Sequence, residues 1–155
     1  MPIRMTKAEL LAVRVEERAK MRVKQKQSAF MRRTLSIYNG QNKRIEAANA
    51  GALPYTLAEF RSAAQRALDT GCCFYCGTKL TVRNLTPDHK VALAACGSWN
   101  LDNLAWCCQS CNWEKGRLSA TEFQELLLFL DEHLSPASSA DVKRRLSIGG
   151  KWSWK

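Results

Sequence analysis

The residues able to do chemistry crowd into one stretch, from Cys72 to Lys115. Two Cys-x-x-Cys pairs, Cys73 with Cys76 and Cys108 with Cys111, bracket it. Between and just beyond them stand Asp88-His89, Asn103 and an Asn-x-x-Lys run formed by Asn112 and Lys115. Four thiolates on two such knuckles make a closed, tetrahedral, structural zinc site. Cys72 and Cys107 each precede a proposed ligand by one residue, which leaves Cys-x3-Cys pairings as alternatives. The two-residue spacing suits a tight knuckle better, and Gly77 follows the first pair where a turn needs it. Disulfides are disfavoured, because seven cysteines are an odd number and the N-terminus lacks an apolar export segment. Cys96 reads as a small loop or core residue.

The insert between the knuckles is longer than a simple zinc ribbon needs. The adjacent Asp88 and His89 offer one hard oxygen ligand and one base. Neighbouring strand residues point to opposite faces, so a strand carrying both must end or bend near them, and Pro87 suits that. Thr81 to Thr86 reads as a strand or hairpin, and Asn112 falls at the start of a short helix that Gly116 would end.

Taken together, Asp88-His89, Asn103 and Asn112 between two zinc knuckles resemble the HNH endonucleases with a ββα-metal core, most closely the small phage-type members with four zinc cysteines. The likeness spans roughly residues 56 to 130. It implies that His89 is the general base activating water and that Asn103 orients the base and its loop. Asp88 and Asn112 would bind the catalytic divalent ion, Asn112 standing where the motif often has its last histidine. The loop Val91 to Gly97 departs from relatives, which often carry a proline and a glycine pair there. The chemistry agrees with these roles. Phosphodiester hydrolysis needs a nucleophilic water, a cation on the phosphate and fixed positions for both. Mg2+ or Mn2+ suits a carboxylate and an amide oxygen, and a neutral histidine accepts a proton near pH 7. His133, the only other histidine, reads as a helix-end residue.

The elements that must position these groups follow from caps and periodicity. Thr6-x-x-Glu9, Thr56-x-x-Glu59 and Ser119-x-x-Glu122 are capping boxes. The first opens a Lys/Arg-rich helix to about Ser36, broken at Tyr38-Asn39-Gly40 and followed by a short helix from Gln41 to Ala50. The second opens Leu57 to Leu68, with Leu57, Phe60, Ala64 and Leu68 on one face, stopping at Gly71. The third opens a helix through His133 with Phe123, Leu126, Leu127 and Leu130 inward. Pro136 ends that region, and Ser139 to Leu146 forms one more helix. The expected class is α+β: a zinc-stabilised ββα-metal (HNH) core with flanking helices and a basic helical N-terminal arm. The expected division is arm 1–50, nuclease domain 51–135 and tail 136–155.

Net charge is +10 over 155 residues. Residues 1–50 hold 12 Lys/Arg against 4 Asp/Glu, a net +8, so the arm carries most of it. A one-signed excess of this size favours a polyanion, most simply duplex DNA. The expected contacts are Arg14, Arg18, Arg22, Lys24, Lys26, Arg32 and Arg33, with Lys115 beside the site. The longest apolar run, Leu126 to Leu130, is far too short for a bilayer, so the expected setting is intracellular, in a bacterial host if phage-encoded. Trp99, Trp106 and Trp113 read as packing around the zinc core. Trp152 and Trp154 leave three readings open, base stacking, docking on a partner or disorder, and the arm or tail offers a surface for a homodimer or another protein. The expected activity is metal-dependent DNA cleavage. The rivals are a non-catalytic zinc module that binds nucleic acid and an accessory subunit of a phage machine.

Overall fold

A computed structural model describes residues 6–148 of the chain. Its elements run in order α1 (Lys7–Ala47), α2 (Leu57–Thr70), β1 (Leu85–His89), β2 (Leu104–Cys108), α3 (Gln109–Lys115), α4 (Ala120–His133) and α5 (Pro136–Ser147). Short 3-10 turns, Leu93–Ala95 and Leu101–Asn103, lie between the strands. This is a mixed helical architecture around a small antiparallel sheet, in which Leu85 pairs with Cys108 and His89 with Leu104. β1, β2 and α3 follow one another in the order expected of a ββα unit.

All three capping boxes form as expected: Thr6 with Glu9, Thr56 with Glu59 and Ser119 with Glu122 each exchange both bonds. Gly71 closes α2 with φ +80°, a left-handed conformation that costs a residue without Cβ little. The strand departs from expectation. Residues 82–84 form a turn, β1 begins at Leu85, and it runs through Pro87 to end on His89. Two strands alone leave every edge open, so the missing Pro87 N–H breaks no ladder on that side. Pro136 likewise opens α5 rather than ending the preceding region, because its fixed φ suits the first helical turn and Ser135 caps it.

α1 is one helix of 41 residues, with no break at Tyr38-Asn39-Gly40. A mid-helix glycine costs only about 1 kcal/mol. Burial on both sides of Gly40 outweighs that: Thr34, Gln41 and Ile45 are buried, and Ile37 and Tyr38 pack on Tyr55, Phe60 and Leu104. The Tyr38 hydroxyl also donates to the Tyr55 carbonyl at 3.1 Å. From Ala29 onward α1 therefore belongs to the packed body, and packing changes near residue 28 rather than at the boundary placed at 50. Residues 7–28 are exposed throughout and extend about 33 Å at 1.5 Å per residue.

Two apolar clusters support the site. One joins Ala64, Ala67, Leu80, Leu85, Phe123 and Leu127 around the buried cysteines. The other stacks Tyr55 on Phe60, with ring centroids 5.9 Å apart, and brings Trp106 to 5.1 Å from Phe60. Trp113, expected in the packing, is instead 57% exposed. Trp152 and Trp154 lie outside the described residues. α5 lies against α3, and Lys143 bridges to Asp131 of α4 at 2.9 Å, so the described part of the tail is joined to the body. Among the described residues no helix is long and apolar enough to cross a membrane.

Removing residues 1–28 should shift the thermal midpoint by only a few degrees. Ile45→Ala, which empties a site 2% exposed, should cost about 2–4 kcal/mol. Melting curves of both variants check the pair, and equal destabilisation would contradict the packing described.

Candidate functional site

Cys73, Cys76, Cys108 and Cys111 converge, with all four sulfurs within 4.8 Å of one another. Cys73 and Cys76 come from the turn after α2, where Gly77 (φ +67°) lets its N–H bond the Cys73 carbonyl at 3.1 Å. Cys108 ends β2 and Cys111 lies in the first turn of α3. Tetrahedral Zn–S bonds of about 2.3 Å imply sulfurs about 3.8 Å apart. Cys76 and Cys108 stand at 3.8 Å. With protons alone the four thiols compete. A hydrogen bond from Cys111 lowers Cys73 to about 4 and pushes the Cys111 thiol far above its usual range, while burial lifts Cys108 to about 11. A divalent cation removes that conflict by letting all four ionise, so the donor set fits zinc. Cys107 points away, fully buried, and burial pushes its thiol up. Cys72 and Cys96 are exposed and lie outside the cluster.

Asp88 and His89, at the end of β1, are each 6% exposed. The Tyr75 hydroxyl, between the two first-knuckle cysteines, donates to Asp88 Oδ2 at 2.6 Å. The Lys115 ammonium, at the end of α3, lies 3.1 Å from Asp88 Oδ2 and 3.3 Å from Oδ1, and donates to the His89 carbonyl at 2.9 Å. Burial raises the Asp88 carboxyl, and Tyr75 and Lys115 pull it back. Burial, then Asp88, raises the Tyr75 phenol well above its ordinary range, so it stays a donor. Lys115 thus departs from its expected role on nucleic acid. Its side chain is 1% exposed because the buried carboxylate needs a buried counter-charge.

His89 presents its ring edge-on to Trp99, centroids 5.5 Å apart, and its Nε2 is buried without a hydrogen-bond partner. Burial, then the charges of Arg44 and Lys115, lowers its pKa from 6.5 to about 4, so the ring is neutral at pH 7. Asn103 ties down the loop that follows. Its Oδ1 accepts from Val91 N at 3.0 Å, and its Nδ2 donates to the Val91 and Ser98 carbonyls at 3.1 and 2.7 Å. Gly97 lets this loop close, since a Cβ there would collide with the Val91 carbonyl. Asn112 donates Nδ2 to Thr86 Oγ1 at 3.1 Å and to the Pro87 carbonyl at 3.4 Å, leaving Oδ1 without a hydrogen bond.

Asp88, His89, Asn112 and Lys115 line one cavity of about 130 Å³ with Arg44 of α1. It has room for a cation and a few waters at about 30 Å³ each. Among its lining residues, Asp88 carries a carboxylate and Asn112 an amide oxygen free of hydrogen bonds, donor types that fit a hard divalent ion. Asn103 does not line this cavity; it braces the loop after His89. Arg14, Arg18, Arg22, Lys24, Lys26 and Arg32 all lie on exposed positions of α1, away from the cavity. Arg33 differs from the expectation of a DNA contact: it is half-buried and donates to the Leu85 carbonyl at 3.3 Å. Sequence reasoning did not single out Tyr75 or Arg44. Tyr75 had a local signal, its place between two ligands. Arg44 is brought in by long-range packing of α1.

Residues 73–128 match the family model described as HNH endonuclease. This segment belongs to the HNH endonuclease family. The HNH segment contains both knuckles, Asp88, His89, Asn103, Asn112 and Lys115, and omits α1 with Arg44. No curated protein and no solved structure matches the chain.

Metal analysis should find one zinc per chain, and Cys108→Ser should lose it and aggregate; a folded, zinc-free wild type would contradict the cluster assignment. In acid, the His89 contribution has a defined sign. The unfolded ring takes up its proton near 6.5 and the folded one near 4, so stability is lost as pH falls through that window and is unaffected by this group above it. His89 ring signals followed by NMR should titrate near 4, and His89→Gln should lessen the acid loss. A midpoint at 6.5 would contradict the buried, neutral ring.

Proposed function

We propose that the chain is a metal-dependent HNH endonuclease that hydrolyses phosphodiester bonds in DNA. One observation carries the reading: the unpartnered, buried Nε2 of His89 shares a cavity with the oxygen ligands of Asp88 and Asn112. His89, neutral at pH 7, accepts a proton from water as the water oxygen forms its bond to phosphorus and the bond to the leaving oxygen breaks. Asn103 holds the loop beyond His89 and thereby the access to the ring. Asp88 and Asn112 Oδ1 would hold Mg2+ or Mn2+, which when bound would supply charge neutralisation at the phosphate and the leaving oxygen. Tyr75 and Lys115 fix the Asp88 carboxylate. The exposed cations Arg14, Arg18, Arg22, Lys24, Lys26 and Arg32 supply affinity without sequence choice, each neutralised phosphate steepening the log–log salt slope by about 0.9.

A second reading is a zinc-containing module that binds nucleic acid without cutting. It draws support from Lys115, whose buried ammonium pairs with both oxygens of Asp88. Supercoiled plasmid incubated with the zinc-loaded protein and Mg2+ or Mn2+, with and without chelator, separates the two. Cleavage should require the added metal, and His89→Ala should slow it about 10²–10⁴-fold while retaining zinc and duplex binding. Plasmid binding without any cutting would favour the module.

A further inference from the structure

We infer that Arg44 is a phosphate-binding residue of the catalytic cavity, contributed by α1 from outside the matched HNH segment; the inference rests on the proposed nuclease reading. Arg44 lines the same cavity as Asp88, His89 and Asn112. Of the two cations on that lining, Lys115 is committed to Asp88 and shielded from solvent. Arg44 is exposed and forms no ion pair among the described residues. Its guanidinium carbon lies 5.9 Å from the centroid of Trp99, the ring that also abuts His89 at 5.5 Å. The aromatic face therefore presents the cation beside the imidazole.

Its backbone is anchored as well. The neighbouring Ile45 is 2% exposed, and the Arg44 carbonyl accepts the capping N–H of Ala48 at 3.1 Å. A phosphodiester being hydrolysed gains negative charge on its non-bridging oxygens. A planar guanidinium can pair with two of them at once, which an ammonium cannot. The rest of α1 leads towards this point. Arg14, Arg18, Arg22 and Lys26 recur every four residues and form one gradually turning stripe, while Glu9, Glu16 and Glu17 fall on the other side. Arg33 and Arg44, eleven residues apart, share a flank of the helix at about 3.6 residues per turn. A backbone followed by the stripe is thus led to the Arg44 side chain, where it meets His89.

The test uses the full-length, zinc-loaded chain. Arg44→Met should lower the single-turnover rate of plasmid cleavage about 10²–10³-fold, the effect of removing one preorganised charge donor. Arg44→Lys should recover only part of it, although it keeps a positive charge at the end of α1. Zinc content and melting temperature should match wild type in both. Arg18→Met should instead flatten the salt slope of binding by about 0.9. A readout independent of cutting is shielding of Arg44 from an arginine-directed dicarbonyl reagent by bound duplex in chelator. An inactive wild type in which duplex still shields Arg44 would remove the nuclease reading and keep the phosphate contact. Wild-type cleavage by Arg44→Met, or an Arg44 that reacts equally with and without duplex, would overturn the inference.

Discussion

The four-sulfur junction is the constraint on which the remaining structure depends. It gathers the turn after α2, the last residue of β2 and the first turn of α3, three places that a two-stranded sheet cannot hold together by itself. Its influence passes outward through Tyr75. That residue stands between Cys73 and Cys76, and its hydroxyl ends on Asp88. The same knuckle whose sulfurs fit a zinc site thus sets where the carboxylate points. Tyr75 also packs edge-on against Phe123 of α4, so this link is wedged into the apolar core.

Asp88 shows how a small protein handles a buried charge. An unpaired carboxylate at this depth would be costly, and the chain answers with an ammonium, a phenol and a strand end. Such a pair adds little net stability over apolar packing, so its retention points to geometry. Lys115 binds the side chain of one residue and the carbonyl of the next, which locks the last step of β1 against the end of α3. Asn103 performs the matching service on the other side, holding the loop after His89 through three hydrogen bonds.

Much of this was legible in the residues because its determinants are local. The knuckle spacing, the three capping boxes and the stop of α3 at Gly116 depend on contacts within a few positions, and each formed, although α3 starts at Gln109 rather than at Asn112. Most of the failures share a cause: tertiary packing decided them. Asn39-Gly40 reads as a break until Ile37, Tyr38, Gln41 and Ile45 are seen buried around it. Lys115 reads as a surface cation until the carboxylate 27 positions earlier is found beneath it. Thr81 to Thr86 alternates like a strand, yet Asn84 folds its side chain back onto Thr81 N at 2.7 Å and makes a turn. Arg44 belongs to a helix whose composition suggests only a solvated grip, and no local pattern places it at the cavity.

The unbroken α1 has one more consequence. A basic arm joined to its domain by a hinge would be a tether, free to search. Here the C-terminal half is clamped into the core, and the exposed half continues it with the same hydrogen-bonded axis. The arm is a ruler. Its exposed part, residues 7–28, spans about 33 Å, close to one turn of duplex, so a partner held at the tip of α1 is held at a set distance from the body that carries His89.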